Sequence, residues 1–262
     1  MPFRLGGARR LSSTGPLPVE DLPPAGYDEE ATQLPLDPML REEAWRVQEE
    51  SPALAELDRL FVQVFALVGE AIAGATHALL ANDREAAKQL VQRDEMVDML
   101  THEIADLAQN LLVSAAPSSE ERRELVAVLR MLPDLERNGD LAEHIARRAA
   151  RGLGNEMSAR SRGLVERMGE VATTIWSATA DTFAERSLAG ATYVDDLDDE
   201  MDELHVTLTA EVVAGTMPLP VAIELAMVAR FYERFGDHAV NLARRMAALV
   251  SGGAEPGASG PD

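Results

Sequence analysis

The 262-residue chain contains no cysteine. That absence excludes disulfides, thiolate metal sites and cysteine nucleophiles, and it makes a reducing cytoplasm the natural setting. Aromatic residues make up only 4% of the chain, with two tryptophans, and Trp45 and Trp176 show no spacing that would build a stacking platform for nucleobases. Positive charge is scarce: 24 Lys and Arg face 45 Asp and Glu, a formal net charge of −21. Such a surface repels nucleic-acid phosphates and anionic lipid, and it favours multivalent cations and basic protein partners. No stretch approaches the ~18 consecutive apolar residues of a membrane span, and the first residues lack the apolar segment of a signal peptide. A soluble cytoplasmic protein is therefore expected. There is no Gly-rich phosphate loop, nucleophile–base pairing or acyl-transfer motif, so catalysis is not expected either.

What remains is an acidic chain, 46% hydrophobic, long enough to bury a substantial core. Residues 1–50 read as an extension. From Leu11 to Pro38 it carries six prolines, Pro16, Pro18, Pro23, Pro24, Pro35 and Pro38, among Ser, Gly and acidic residues, a composition that buries too little apolar surface to offset chain entropy. Arg4, Arg9 and Arg10 make its start locally basic. Residues 251–262, rich in Gly, Ser and Pro, read as a flexible tail.

Between these ends the period is helical, and strand-like alternation is nearly absent. Ser51-Pro52 offers an N-cap with proline at the first helical position, and Leu57, Phe61, Val64, Phe65, Val68 and Ile72 follow at steps of three and four. Asn82 or Asp83 starts a second helix, and Ala116 to Glu120 ends it and caps a third. After Gly152-Leu153-Gly154-Asn155 the same order returns, from Ser158, Ser187 and Pro218. The halves correspond in detail. Glu233-Arg234-Phe235-Gly236-Asp237 repeats Glu136-Arg137-Asn138-Gly139-Asp140 at an offset of 97, and Asp198 to Leu204 repeats Asp94 to Leu100 at an offset of 104. The expected fold is all-α: two tandem three-helix bundles over residues 51–152 and 153–250.

Four acidic pairs recur at i,i+4: Asp94 with Asp98, Glu136 with Asp140, Asp198 with Asp202, and Glu233 with Asp237. This spacing sets both carboxylates of a pair on one helix face, about 5–6 Å apart at Cβ. Each half draws one pair from its middle helix and one from its third. Facing each other at the usual ~8–10 Å, these helices would converge four carboxylates, a donor set suited to hard cations. With 45 acidic residues in the chain, a single pair can equally be a solvated face, and Arg137 or Arg234 can neutralise it without metal. Repetition in both halves favours the convergent arrangement. So does the glycine embedded in each third-helix frame, Gly139 and Gly236, which costs ~1 kcal/mol in a helix interior and marks a close approach to the backbone, by a ligand or by helix packing. His205, three residues after Asp202, is a candidate nitrogen ligand or a surface histidine. Pro133 is expected to kink its helix or delay its regular start.

Glu233 to Ala243, Glu-Arg-Phe-Gly-Asp-His-Ala-Val-Asn-Leu-Ala, resembles the signature of the PhoU phosphate-signalling regulators, as does the Asp-x-x-x-Asp-x-Leu frame of each middle helix. The resemblance spans roughly residues 50 to 250. It implies two three-helix bundles with pseudo-twofold symmetry whose acidic motifs hold multinuclear iron or other metal such as Mn, Mg or Zn, with Asp94, Asp98, Glu136 and Asp140 as candidates in the first half and Asp198, Asp202, Glu233 and Asp237 in the second. It also implies a non-enzymatic negative regulator that binds the ATPase of a phosphate ABC transporter and a sensor histidine kinase, as a homodimer. Asn138 and Leu141 depart from the signature in the first half. A metal-free acidic adaptor outside phosphate signalling is the alternative. A ferritin-like di-iron oxidase is not, because it would require Glu-x-x-His pairs and none occurs.

Overall fold

The computed structural model describes residues 52–114, 117–215 and 217–251. The expectations for the N-terminal extension, the cap at Ser51 and most of the C-terminal tail lie outside these residues. Six long helices account for nearly all of the rest: α1 (Pro52–Ala81), α2 (Arg84–Ser114), α3 (Ser119–Arg151), α4 (Ala159–Glu185), α5 (Leu188–Ala214) and α6 (Leu219–Ser251), with one 3-10 turn at Leu153–Glu156.

Local chemistry sets most helix starts. Ser118 and Glu121 form a reciprocal capping box, in which the Glu121 amide donates to Ser118 Oγ at 3.1 Å and the Ser118 amide to Glu121 Oε2 at 2.7 Å. Asp83, Ser158 and Ser187 cap α2, α4 and α5 by accepting backbone N–H bonds through their side chains. Gly152 closes α3 in the left-handed conformation, φ 89°, where its missing Cβ removes the steric cost. Arg186 takes the same role after α4 at φ 51°; its guanidinium pairs with Glu124 at 2.7 Å and Asp58 at 3.3 Å, tying the turn to the first bundle.

Of the two effects expected of Pro133, a delayed helix start does not occur. α3 runs from Ser119 to Arg151 with Pro133 inside it. Pro133 is exposed. In the preceding turn Arg245 of α6 donates to the Arg130 carbonyl.

In each half the three helices pack on one another, and the halves join through α1 against α4 and α3 against α6. The long middle helices α2 and α5 flank this arrangement, each packed only within its own half. One continuous apolar core runs through both bundles. At the seam Phe61 stacks on Phe183 at 5.0 Å, Trp176 lies 5.0 Å from Phe65 and 5.3 Å from Phe235, and Trp176 Nε1 donates to the Phe65 carbonyl at 2.8 Å. Each such buried side chain is worth about 1.5–3 kcal/mol of burial. α1 is long and apolar enough by composition to cross a membrane. Here Leu57, Phe61, Val64, Val68 and Ile72 are buried in a helix that packs against three others, which accounts for its hydropathy.

Candidate metal centre

α2 packs on α3 and α5 on α6, so each middle-helix acidic pair faces a third-helix frame. In the second half the four expected residues converge electrostatically. Burial pushes the Asp198 carboxyl up to about 7, and the charges of Asp237, Asp202, Glu233 and Asp195 add to the shift. Burial likewise raises Glu233, helped by Asp237 and Asp202 and opposed by Arg230 and His205. Asp198 Oδ1 and Glu233 Oε2 are buried without a hydrogen-bond partner. Asp202 and Asp237 remain exposed, so the set opens to solvent on one side.

The embedded glycine now has a physical reason. A Cβ at position 236 would collide with Asp198 Oδ1, so glycine alone lets this carboxylate lie against the backbone of α6. The first half repeats the arrangement less tightly: a Cβ at 139 would come 3.2 Å from Asp94 Oδ1 and 3.1 Å from Val97 Cγ1. The close approach is therefore made by the leading carboxylate of the middle helix, once in each half.

Asp94 is pushed up to about 6, by burial first, then by Glu143, Asp98 and Asp140, with Arg147 opposing. Glu136 and Asp98 stand exposed. The repeat comparison misses two carboxylates. Glu143 is buried beside Asp94 and pairs with Arg147 at 2.5 Å, and Asp195 pairs with Arg244 at 3.1 Å. Their counterparts in the other half are Val240 and Val91, so the duplication hides them, although Glu143 lies three residues after Asp140 and Asp195 three before Asp198, on the same helix faces.

Neutralisation by arginine takes a different form from the one expected. Arg230 pairs with Glu233, whereas Arg137 and Arg234 are exposed. His238, next to Asp237 in the chain, faces a neighbouring helix. Its Nδ1 lies 2.8 Å from Asp134 Oδ1 on α3, and Arg245 approaches the other oxygen of Asp134 at 3.6 Å. This group fastens the halves together where α3 meets α6.

As they stand, no three His, Asp or Glu side chains among the described residues are gathered closely enough to ligate one ion. The carboxylates instead form a mutually repelling set with orphaned oxygens. A hard cation would remove that repulsion and satisfy those atoms, so the donor set fits such an ion.

The PhoU domain family model matches the chain twice, over residues 61–149 and 165–246. The chain belongs to the PhoU family. All eight expected carboxylates fall inside the two PhoU domains. Among relatives, the phosphate-specific transport system accessory protein PhoU homolog 1 of Mycobacterium tuberculosis is 32% identical over 202 residues, covering 76% of this chain and 91% of that protein. PhoU homolog 2 of the same organism is 31% identical over 209 residues, covering 76% and 95%. The crystal structure of PhoU from Pseudomonas aeruginosa superposes with a TM-score of 0.72 at 26% identity, covering 77% of this chain and 98% of that one. The phosphate transport system regulatory protein PhoU from Streptococcus pneumoniae gives 0.70 at 23% identity, covering 76% and 95%, and shares the fold.

Proposed function

We propose that this PhoU protein is a cytoplasmic negative regulator of phosphate uptake and phosphate-starvation signalling. It acts by docking on the ATPase subunit of a phosphate transporter and on a sensor histidine kinase, as a homodimer. The coarser role, an accessory in the regulation of phosphate transport rather than an enzyme, follows from family membership, because relatives covered over nine-tenths of their length carry that name. The carrying observation is the pair of PhoU domains, each with its acidic frame built around a glycine.

In this reading Asp198, Asp202, Glu233 and Asp237 would hold a hard cation, iron or manganese before magnesium or zinc, and Asp94, Asp98, Glu136 and Asp140 would form the second site. A bound cation would supply positive charge between α5 and α6. The residues themselves set the spacing of the two helices, and Gly236 keeps Asp198 against α6. The charge of −21 suits partners with basic surfaces.

Deleting the gene tests the regulatory role. Phosphate-starvation promoters should then be active in phosphate-rich medium and fall silent again when the gene is restored. Full repression in the deletion strain would contradict the proposal.

A further inference from the structure

The described residues of this acidic chain include a cleft of opposite character, away from the carboxylate frames. The start of α2, the end of α3, the 3-10 turn and the first two turns of α6 border an open cleft of about 200 Å³, lined by Arg84, Arg148, Arg151, Glu156 and Glu224 together with Gly152 and Val221. Three guanidinium groups against two carboxylates leave it locally positive in a chain of charge −21.

Its construction is specific. Arg148, 13% exposed at the side chain, is fixed from two sides: its Nη1 donates to the His144 carbonyl at 3.0 Å, and its guanidinium lies 4.5 Å over the ring of Phe231. Arg148 Nε lies 3.1 Å from Glu224 Oε2 but is not aligned to donate, so both atoms are buried without a hydrogen bond. This buried pair of Arg148 and Glu224 borders the cavity. Arg151 stands 3.7 Å from Glu224 and is 67% exposed at the side chain, free to turn toward an anion. Arg84 lies against Gly152, where any Cβ would overlap its guanidinium. The left-handed glycine that ends α3 therefore also makes the space in which Arg84 reaches the cleft. The start of α6 adds the positive end of a helix dipole.

We infer that this cleft binds a small, multiply charged oxyanion of the phosphate or pyrophosphate class. Planar guanidinium groups match the paired oxygens of such ions. The volume admits one or two phosphoryl groups.

Isothermal titration of the full-length protein with inorganic phosphate and with pyrophosphate, at fixed ionic strength and with acetate as the monovalent control, tests this. Saturable binding of one or both phosphoryl ions, and none of acetate, is expected. Arg84→Gln and Arg151→Gln change exposed side chains and should leave the fold intact. Each should weaken binding by roughly tenfold, the scale of one lost charge-assisted contact. Arg122→Gln, an exposed arginine outside the cleft, should leave it unchanged. No saturable binding of either ion at millimolar concentration, equal binding of acetate, or undiminished binding by both cleft variants would overturn the inference.

Discussion

At the scale of the residue, the two glycines carry most of the account. Gly236 and Gly139 each cost their helix about 1 kcal/mol relative to alanine, and each faces the first acidic residue of the opposite frame. Gly236→Ala should leave the fold intact, because the group it strikes is the end of a side chain that can rotate away. Thermal stability without metal should be equal or slightly higher, while Mn(II) should stabilise the variant far less than it stabilises the unaltered protein. Melting curves with and without the ion check this. Gly139→Ala should do less, since its neighbours need give only a few tenths of an ångström. Asn138 is a different case. It is fully buried and neither end of its amide has a partner, where the second repeat has Phe235. An unsatisfied buried amide costs on the order of 1–3 kcal/mol, so Asn138→Leu should raise stability by about 1 kcal/mol or more in denaturant unfolding. The close approach at the glycines is legible from their repetition. The approaching group is not, because it belongs to another helix, and its identity depends on how α5 lies on α6.

At the scale of the element, helix starts were the most legible features. The side chains that cap them, Ser118 with Glu121, Ser158 and Ser187, act within three residues of themselves. Contacts between the halves were not legible. Asp134 and His238 are 104 positions apart, and nothing local distinguishes a histidine that faces another helix from one that orients its neighbour. The facing of α5 and α6 also predicts a pH dependence. Burial and neighbouring carboxylates push Asp198 up to about 7 and Asp94 up to about 6 in the fold, from an ordinary value of 3.8. The folded chain therefore holds protons that the unfolded chain has released. The stability they contribute is complete below about 4 and is lost as pH rises through about 6 to 7. In EDTA, the midpoint of thermal unfolding should fall across that window, and Asp198→Asn should flatten the fall. An identical slope in the variant would contradict the assignment.

At the scale of the whole molecule, duplication explains why the fold could be read so fully. Two copies of one three-helix unit, with matching order and matching acidic frames, constrain each other, and the comparison with solved PhoU structures agrees in fold. The halves are not equivalent, however. The second gathers four carboxylates around Asp198, whereas the first leaves Glu136 exposed and brings in Glu143 with its arginine. Occupancy should follow that difference, with the second site filling at lower metal concentration than the first. The most direct measurement is the metal content of protein made in medium replete with iron and manganese, together with a titration of the EDTA-stripped protein. The account predicts metal that survives dialysis, saturable rebinding, and loss of the tighter sites in Asp198→Asn. Protein that comes out metal-free, with a melting temperature unmoved by either ion, would contradict it.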